Sequence, residues 1–221
     1  MPDVLARNLP FLAAGLATTL AMAALTALAG TVLALVIAVV RDRRIPVLAP
    51  LLAGYVGLIQ GTPVLIVLLI CYVAIPGAIG VRVSASAACT VGFALFLAAY
   101  CAEEMRAGLR AVPASLAEAA AALGLSRAQA FRLVVLPLAA RVAVPALLGQ
   151  YVRMLKYTSV ASVIGVSDLT GSALLVNARV FQPVPILGAV ALVYFVLCLS
   201  LSLSGRALQR RWGGDSGTVA R

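Results

Sequence analysis

The amino-acid sequence predicts an all-α integral membrane protein with about five spanning helices, and three observations predict it. Of 221 residues, 63% are hydrophobic and only 11% are charged, with a mean hydropathy of +1.10; that is more apolar surface than a soluble domain of this size can hide. The apolar residues fall in runs long enough for helices of about 20 residues to cross ~30 Å of hydrocarbon. The basic residues gather at alternate ends of those runs, the bias that orients membrane proteins. The formal charge is +10, from 17 Lys and Arg against 7 Asp and Glu. With base-reading aromatic and polar side chains scarce, this charge reads as topogenic, and no nucleic acid partner is expected.

Five segments are expected to span, at about 10 to 40, 47 to 75, 84 to 112, 130 to 157 and 184 to 206. The first, from near Leu9 to Val40, is too long for the apolar core of a cleavable signal and is expected to stay in the protein, its surplus lying along the interface before Gly15. Gly61 and Pro63 interrupt the second, a mark of a broken helix at membrane depth. Pro137 and Pro145 predict a kink in the fourth. Arg41, Arg43 and Arg44, then Arg106, Arg110, Arg127 and Arg132, then Arg206, Arg210 and Arg211 mark three cytoplasmic regions. An odd number of spans then puts the N-terminus outside and the C-terminus in the cytoplasm. Residues 1–211 read as one membrane domain, and the polar, glycine-rich 212–221 as a disordered cytoplasmic tail. Thr158 to Pro183 is too apolar for an ordinary loop and too broken by Gly and Ser for a span, and reads as a re-entrant or gate-like element.

Catalysis by this chain is not expected. It has no histidine, and Cys71, Cys89, Cys101 and Cys198 stand alone in apolar runs as packed free thiols, so neither a metal cluster nor a disulfide framework has material. The only lysine, Lys156, follows Leu155, so there is no phosphate-binding loop and no nucleotide cofactor of its own is expected.

The segment 113–130 carries the sharpest local signal. Ser115 with Glu118, and Ser126 with Gln129, each read as a capping box, and Gly124 between them as a helix stop. The predicted object is a two-turn helix from Leu116 to Leu123, too short to stand without a partner. Its Ala-rich surface suits either another protein's groove or the lipid interface. Residues 116, 119, 120 and 123 share one face.

The same stretch is similar to the EAA loop of permease subunits in ATP-binding-cassette importers: Glu118-Ala119-Ala120, three residues, Gly124, nine residues, Val134, one residue, Leu136-Pro137. Further blocks resemble the polar amino acid branch of that family, which includes histidine, glutamine, glutamate, arginine and opine permeases. They are Gly15-Leu16 with Thr18-Thr19-Leu20; Gln60-Gly61-Thr62-Pro63; Ala99-Tyr100 with Glu103, Arg106 and Gly108; and Leu155-Lys156 with Thr158-Ser159 and Ser162 to Val166. The chain departs from the branch at Gln60, Val67, Leu138, Gly149 and Tyr157. A runner-up is a small-permease branch carrying methionine or a quaternary-amine osmoprotectant.

The resemblance implies a type I ABC importer permease fold in a bacterial inner membrane, with a cytoplasmic coupling helix. It implies two permease copies, identical or paralogous, around a central path, with separate ATPase subunits consuming ATP and Mg²⁺ and an external solute-binding protein. Leu116, Glu118, Ala119, Ala120, Leu123 and Gly124 are then the ATPase-coupling residues. Gln60, Gly61, Thr62, Pro63, Lys156, Thr158, Ser159 and Ser162 are candidates for the path or gate. Gly61 to Pro63 read equally as a packing kink, Glu103 with Arg106 as a structural pair or a gate, and Lys156 with Arg153 as outer-end cations that either face the path or snorkel to the interface.

Overall fold

A computed structural model describes residues 2–212, with side-chain environments over 6–209, and every regular element among them is helical. The tail expected over 212–221 lies outside the described residues except for Trp212, which closes the last helix. The first helix, α1, runs unbroken from Pro2 to Asp42 through Pro10, so no separate interfacial piece splits off before Gly15. Then follow α2 (Leu48–Gln60), α3 (Val64–Leu69) and α4 (Ile75–Ile79), and α5 (Ala85–Arg110), whose first turn is capped by Ser84 Oγ accepting from the Ala87 amide at 3.3 Å. Beyond the short α6 (Ala114–Ala122) come α7 (Arg127–Ala130), α8 (Leu136–Tyr157), a 3₁₀ turn at Thr158–Ile164, α9 (Leu169–Val180) and α10 (Pro183–Trp212). Among the described residues, four segments are long and apolar enough to cross a membrane: Ala6–Asp42, Ala85–Arg110, Arg127–Ile164 and Pro183–Gln209. The bent pair Leu48–Gln60 and Val64–Ile79 supplies a fifth when counted as one broken span.

That pair bends by 113°. Thr62, ahead of a proline, is sterically pushed out of the helical region, and Pro63 itself is extended with ψ 138°. The other prolines are absorbed differently. Two widened π-helical stretches, Ile70–Ala74 and Phe131–Val135, each end two residues before a proline, Pro76 and Pro137. A proline has no N–H to give and its ring collides with the carbonyl four residues back, and a widened turn accommodates both. Pro145 sits within a continuous α8. In place of the kink expected in the fourth span, Arg127–Ile164 passes as one span with a π bulge.

The bundle is organised around α5. Within its most apolar window 56% of residues are buried, against 11% for Arg127–Ile164 and 17% for α10. Phe93, Leu97, Cys89 and Cys101 of α5 form the core with Ile37 of α1 and Leu68 of α3. Helix packing in lipid relies on close backbone approach at small residues. A Cβ on Gly108 would stand 2.7 Å from the Ala139 carbonyl oxygen and 2.8 Å from Ala143 Cβ, so α5 and α8 touch there backbone to backbone. Gly30 meets α5 similarly, 3.1 Å from the Ala94 carbonyl.

Between α8 and α10 the chain does not form an irregular re-entrant loop. It makes the 3₁₀ turn, stops at Gly165 (φ +90°) and enters α9, which lies against α1 and α10. Leu12, Leu169, Ala173, Val176, Ile186 and Val190 make a second small core there.

Candidate coupling helix and translocation face

The short helix α6 occupies the loop predicted for it. Its start is two places earlier than expected: Pro113, with φ −60° and ψ 137°, takes the N-cap position and no side chain caps it. Ser115 therefore falls inside the first turn, and the capping box expected with Glu118 does not form. The second box does form, with Ser126 Oγ accepting from the Gln129 amide at 3.4 Å and Gln129 Oε1 from the Ser126 amide at 2.9 Å. Gly124 has φ +82°. Its amide donates to the Ala121 carbonyl at 2.9 Å and that of Leu125 to the Ala120 carbonyl at 3.1 Å, a paired closure of the helix end.

Ala120, 3% exposed, is turned into the chain, and it fixes which way the rest of α6 faces. Leu123 is 83% exposed and Leu116 39%, with Glu118, Ala119 and Gly124 exposed as well. An apolar groove of about 380 Å³ runs beside α6, lined by Glu118, Ala121, Leu125, Arg127, Phe131 and Val135. The six residues named for coupling thus divide into one inward anchor and five on the surface.

Two adjacent carboxylates of α5 reach to opposite sides of it. Glu103 pairs with Arg106 at 3.3 Å, as the spacing predicts, and also with Arg41 at the end of α1, which closes a bridge between the two helices. Glu104 Oε1 accepts from Gln150 Nε2 at 2.8 Å, and Gln150 Oε1 accepts from Arg153 Nε at 3.2 Å. Gln150 is buried. Neither Arg41 nor the relay from Glu104 to Arg153 was among the expected contacts, because partners 62 and 46 positions apart leave no local spacing to read.

The break between α2 and α3 is tied to α8 through aromatic rings. Tyr100 Oη donates to the Gln60 carbonyl at 3.5 Å, the Tyr100 and Phe96 rings lie 4.9 Å apart, and Phe96 meets Tyr157 edge-on at 5.8 Å. This contact corrects the depth of the fourth span. Phe96 stands about 17 Å from one end of α5 and about 21 Å from the other at 1.5 Å per residue, so Tyr157 and its neighbour Lys156 lie level with the middle of α5, not at the outer end. Arg153 lies a turn nearer the end of the bundle that carries α6. Val142, Gly149, Arg153 and Lys156 are all exposed and fall within an arc of about 60° on α8. Among the described residues, nothing beyond the adjoining backbone of α8 lies within 4 Å of where a Gly149 Cβ would be.

The hydroxyls expected at a gate are engaged with their own backbone. Thr62 Oγ1 donates to the Leu58 carbonyl at 2.7 Å, and Thr158, fully buried, to that of Leu155 at 2.7 Å. Ser159 donates to Lys156 at 2.8 Å and Ser162 to Ser159 at 2.7 Å. They shape the ends of α2 and α8. The exposed Gln60, Gly61 and Pro63 and the half-buried Thr62 lie at the break itself.

Asp168 is a site residue that sequence reasoning passed over, although an Asp ahead of an apolar run is an N-cap signal. It is fully buried and accepts from the Gly171 amide at 2.9 Å, the Thr170 amide at 3.3 Å and the Tyr194 hydroxyl at 3.3 Å. Burial pushes its carboxyl above the usual range, and those three donors offset only part of the rise. The Leu169 amide donates to Thr19 Oγ1 at 3.0 Å, so α1, α9 and α10 meet at this point. Asp168→Ala removes the cap and is expected to lower permease stability by about 1–2 kcal/mol, read as a drop in melting temperature in detergent, while Asp168→Asn, which keeps an acceptor for Gly171, loses less.

A family model for the inner membrane component of binding-protein-dependent transport systems matches residues 30–214. The chain belongs to that family of permeases. It is 34% identical to a probable amino-acid ABC transporter permease protein, PatM, of Vibrio harveyi, over 88% of each protein. It is 32% identical to a probable glutamine ABC transporter permease protein, GlnP, of Bacillus subtilis, over 92% of this permease and 94% of that one. A crystal structure of an amino acid ABC transporter with histidines superposes with a TM-score of 0.88 at 32% identity, covering 94% of this permease and 96% of that chain.

Proposed function

We propose that this permease forms half of the translocation path of an importer for amino acids in a bacterial inner membrane, with its N-terminus outside and its C-terminus in the cytoplasm. The observation that carries the reading is the unpartnered face of α8. A cation facing hydrocarbon at mid-depth is costly, which favours a watery path or a second permease copy against Arg153 and Lys156. Relatives named for amino acid transport support the solute class. The α2 break, linked to the same region by the aromatic rings, offers free backbone dipoles at solute depth as broken helices in transporters do.

The energy comes from outside the chain. A separate ATPase subunit consumes ATP and Mg²⁺ and receives α6 in a surface cleft, with Leu116, Ala119, Leu123 and Gly124 at the contact and Ala120 anchoring the helix to the permease. Glu118 lies at the rim of the adjoining groove. A solute-binding protein delivers the amino acid from outside. A permease with Ala119→Cys is expected to crosslink to a cysteine placed in the ATPase cleft and to lose uptake once crosslinked, with reductant restoring it. Absence of any crosslink from position 119, with crosslinks from the opposite face at Ala117 instead, would overturn the docking.

A further inference from the structure

We propose that the α8 face selects solutes carrying net negative charge, amino acids with two carboxylates to one amine. The inference rests on the permease reading above and narrows its substrate class. Arg153 has its Nε bound by Gln150 Oε1 at 3.2 Å, and Gln150 is itself held by Glu104 at 2.8 Å. The guanidinium is therefore oriented from behind while its two terminal nitrogens stay available, the fork that takes a carboxylate through two parallel hydrogen bonds. Gly149, one turn away on the same arc, leaves room in front of it. Lys156, on the other flank, lines a cavity of about 380 Å³ between α8 and α10 with Tyr194, Cys198, Ser202 and Arg206.

None of the described carboxylates forms an ion pair with these cations. Among the described residues, Glu103 is engaged by Arg41 and Arg106, Asp168 is buried in its cap, and Asp42 and Glu118 stand at the cytoplasmic end or in its loop. Glu104 contacts the Gln150 amide and stands behind Arg153. No carboxylate of the described residues lies within ion-pair distance of Arg153, Lys156 or Arg206. Pairing two copies across this face would double the positive charge in a site of low dielectric, where a cationic solute is repelled and an anionic one attracted over several ångströms. An acidic lipid headgroup has the same charge, but at the level of Phe96 its phosphate would stand in the hydrocarbon core.

The test uses the intact transporter, with its ATPase and binding protein, reconstituted in vesicles and given radiolabelled glutamate, glutamine and arginine separately. Glutamate is expected to enter fastest, and Arg153→Gln with Lys156→Gln together to cut its uptake tenfold or more at equal permease content. Arg153→Lys, which keeps the charge, should recover a substantial part of the uptake lost in an Arg153→Gln variant. Faster uptake of arginine or glutamine than of glutamate overturns the inference and leaves the amino acid permease intact. Glutamate uptake within twofold of the parent in the double variant also overturns it. Failure to move any of the three removes the amino acid reading and this inference with it.

Discussion

Replacing Gly108 with leucine is expected to abolish assembly of the permease, lowering the folded protein recovered from membranes tenfold or more. A Cβ alone would meet the Ala139 carbonyl oxygen at 2.7 Å, the Ala143 amide nitrogen at 3.2 Å and Ala143 Cβ at 2.8 Å. Two of these are backbone atoms of a helix that cannot rotate aside, so α5 and α8 must separate. Overpacking by a methylene or two typically costs about 1–3 kcal/mol, and leucine adds four carbons at a contact with no slack. Separation also pulls Glu104 from Gln150, leaving a buried amide and a carboxylate unpaired in a low-dielectric site. In lipid there is no hydrophobic drive between helices to offset that loss, and the span that contains α8 is only 11% buried in its most apolar window. Gly188→Ala is the control, because among the described residues nothing beyond the adjoining backbone of α10 lies within 4 Å of the added carbon. Fluorescence-detected size exclusion of the two variants gives the comparison, and near-parental recovery of Gly108→Leu would show that α8 is held elsewhere.

Glu103→Gln is expected to act at the same end of the bundle with a smaller effect. It leaves Arg41 and Arg106 facing each other without their shared carboxylate. Thermal unfolding in detergent at low and high salt should show a loss that salt partly relieves, since screening weakens the repulsion.

These contacts mark what the sequence could and could not disclose. The spans were readable because apolar length is a local quantity, and the break at Gly61 to Pro63 because proline chemistry is local too. Gly124, Ser126 with Gln129, and Glu103 with Arg106 have their determinants within a few residues. The box at Ser115 and Glu118 failed on one unweighed neighbour: Pro113 sets the entry to α6 and shifts the start to Ala114. Arg41 with Glu103, Glu104 with Gln150, and Thr19 with Leu169 join residues far apart in sequence, and no spacing rule reaches them. The depth of Lys156 was misread for a related reason. The apolar run suggests a span ending near residue 157, whereas helical structure continues to Ile164 and the ring contact with Phe96 sets the level. Gly108 belongs to the recognisable block around Glu103, yet only the packing of α8 reveals that it excludes any side chain.

Substitutions at Gly124 are expected to separate uptake from ATP hydrolysis, and the choice of side chain tells which property of the glycine is used. At φ +82° a β-branched residue is strained, and Gly124→Val should disrupt the closure that sets the end of α6, at a local cost of about 1–2 kcal/mol. Asparagine tolerates the left-handed conformation, and nothing among the described residues beyond its chain neighbours lies within 4 Å of its Cβ, so Gly124→Asn should leave α6 as it is. If the glycine only terminates the helix, the asparagine variant transports normally and the valine variant does not. If an ATPase surface closes over Gly124, both lose uptake tenfold or more while the permease remains folded and ATP hydrolysis by the complex continues. The second pattern is the one expected. Leu123, 83% exposed beside Gly124, is a large apolar side chain in the loop between α5 and α8 where a partner surface would bury it, and a partner that covers Leu123 also covers the glycine next to it. Parallel measurement of solute uptake and phosphate release in vesicles containing each variant decides between the two patterns, and normal uptake by Gly124→Asn would move the ATPase contact off this end of the helix.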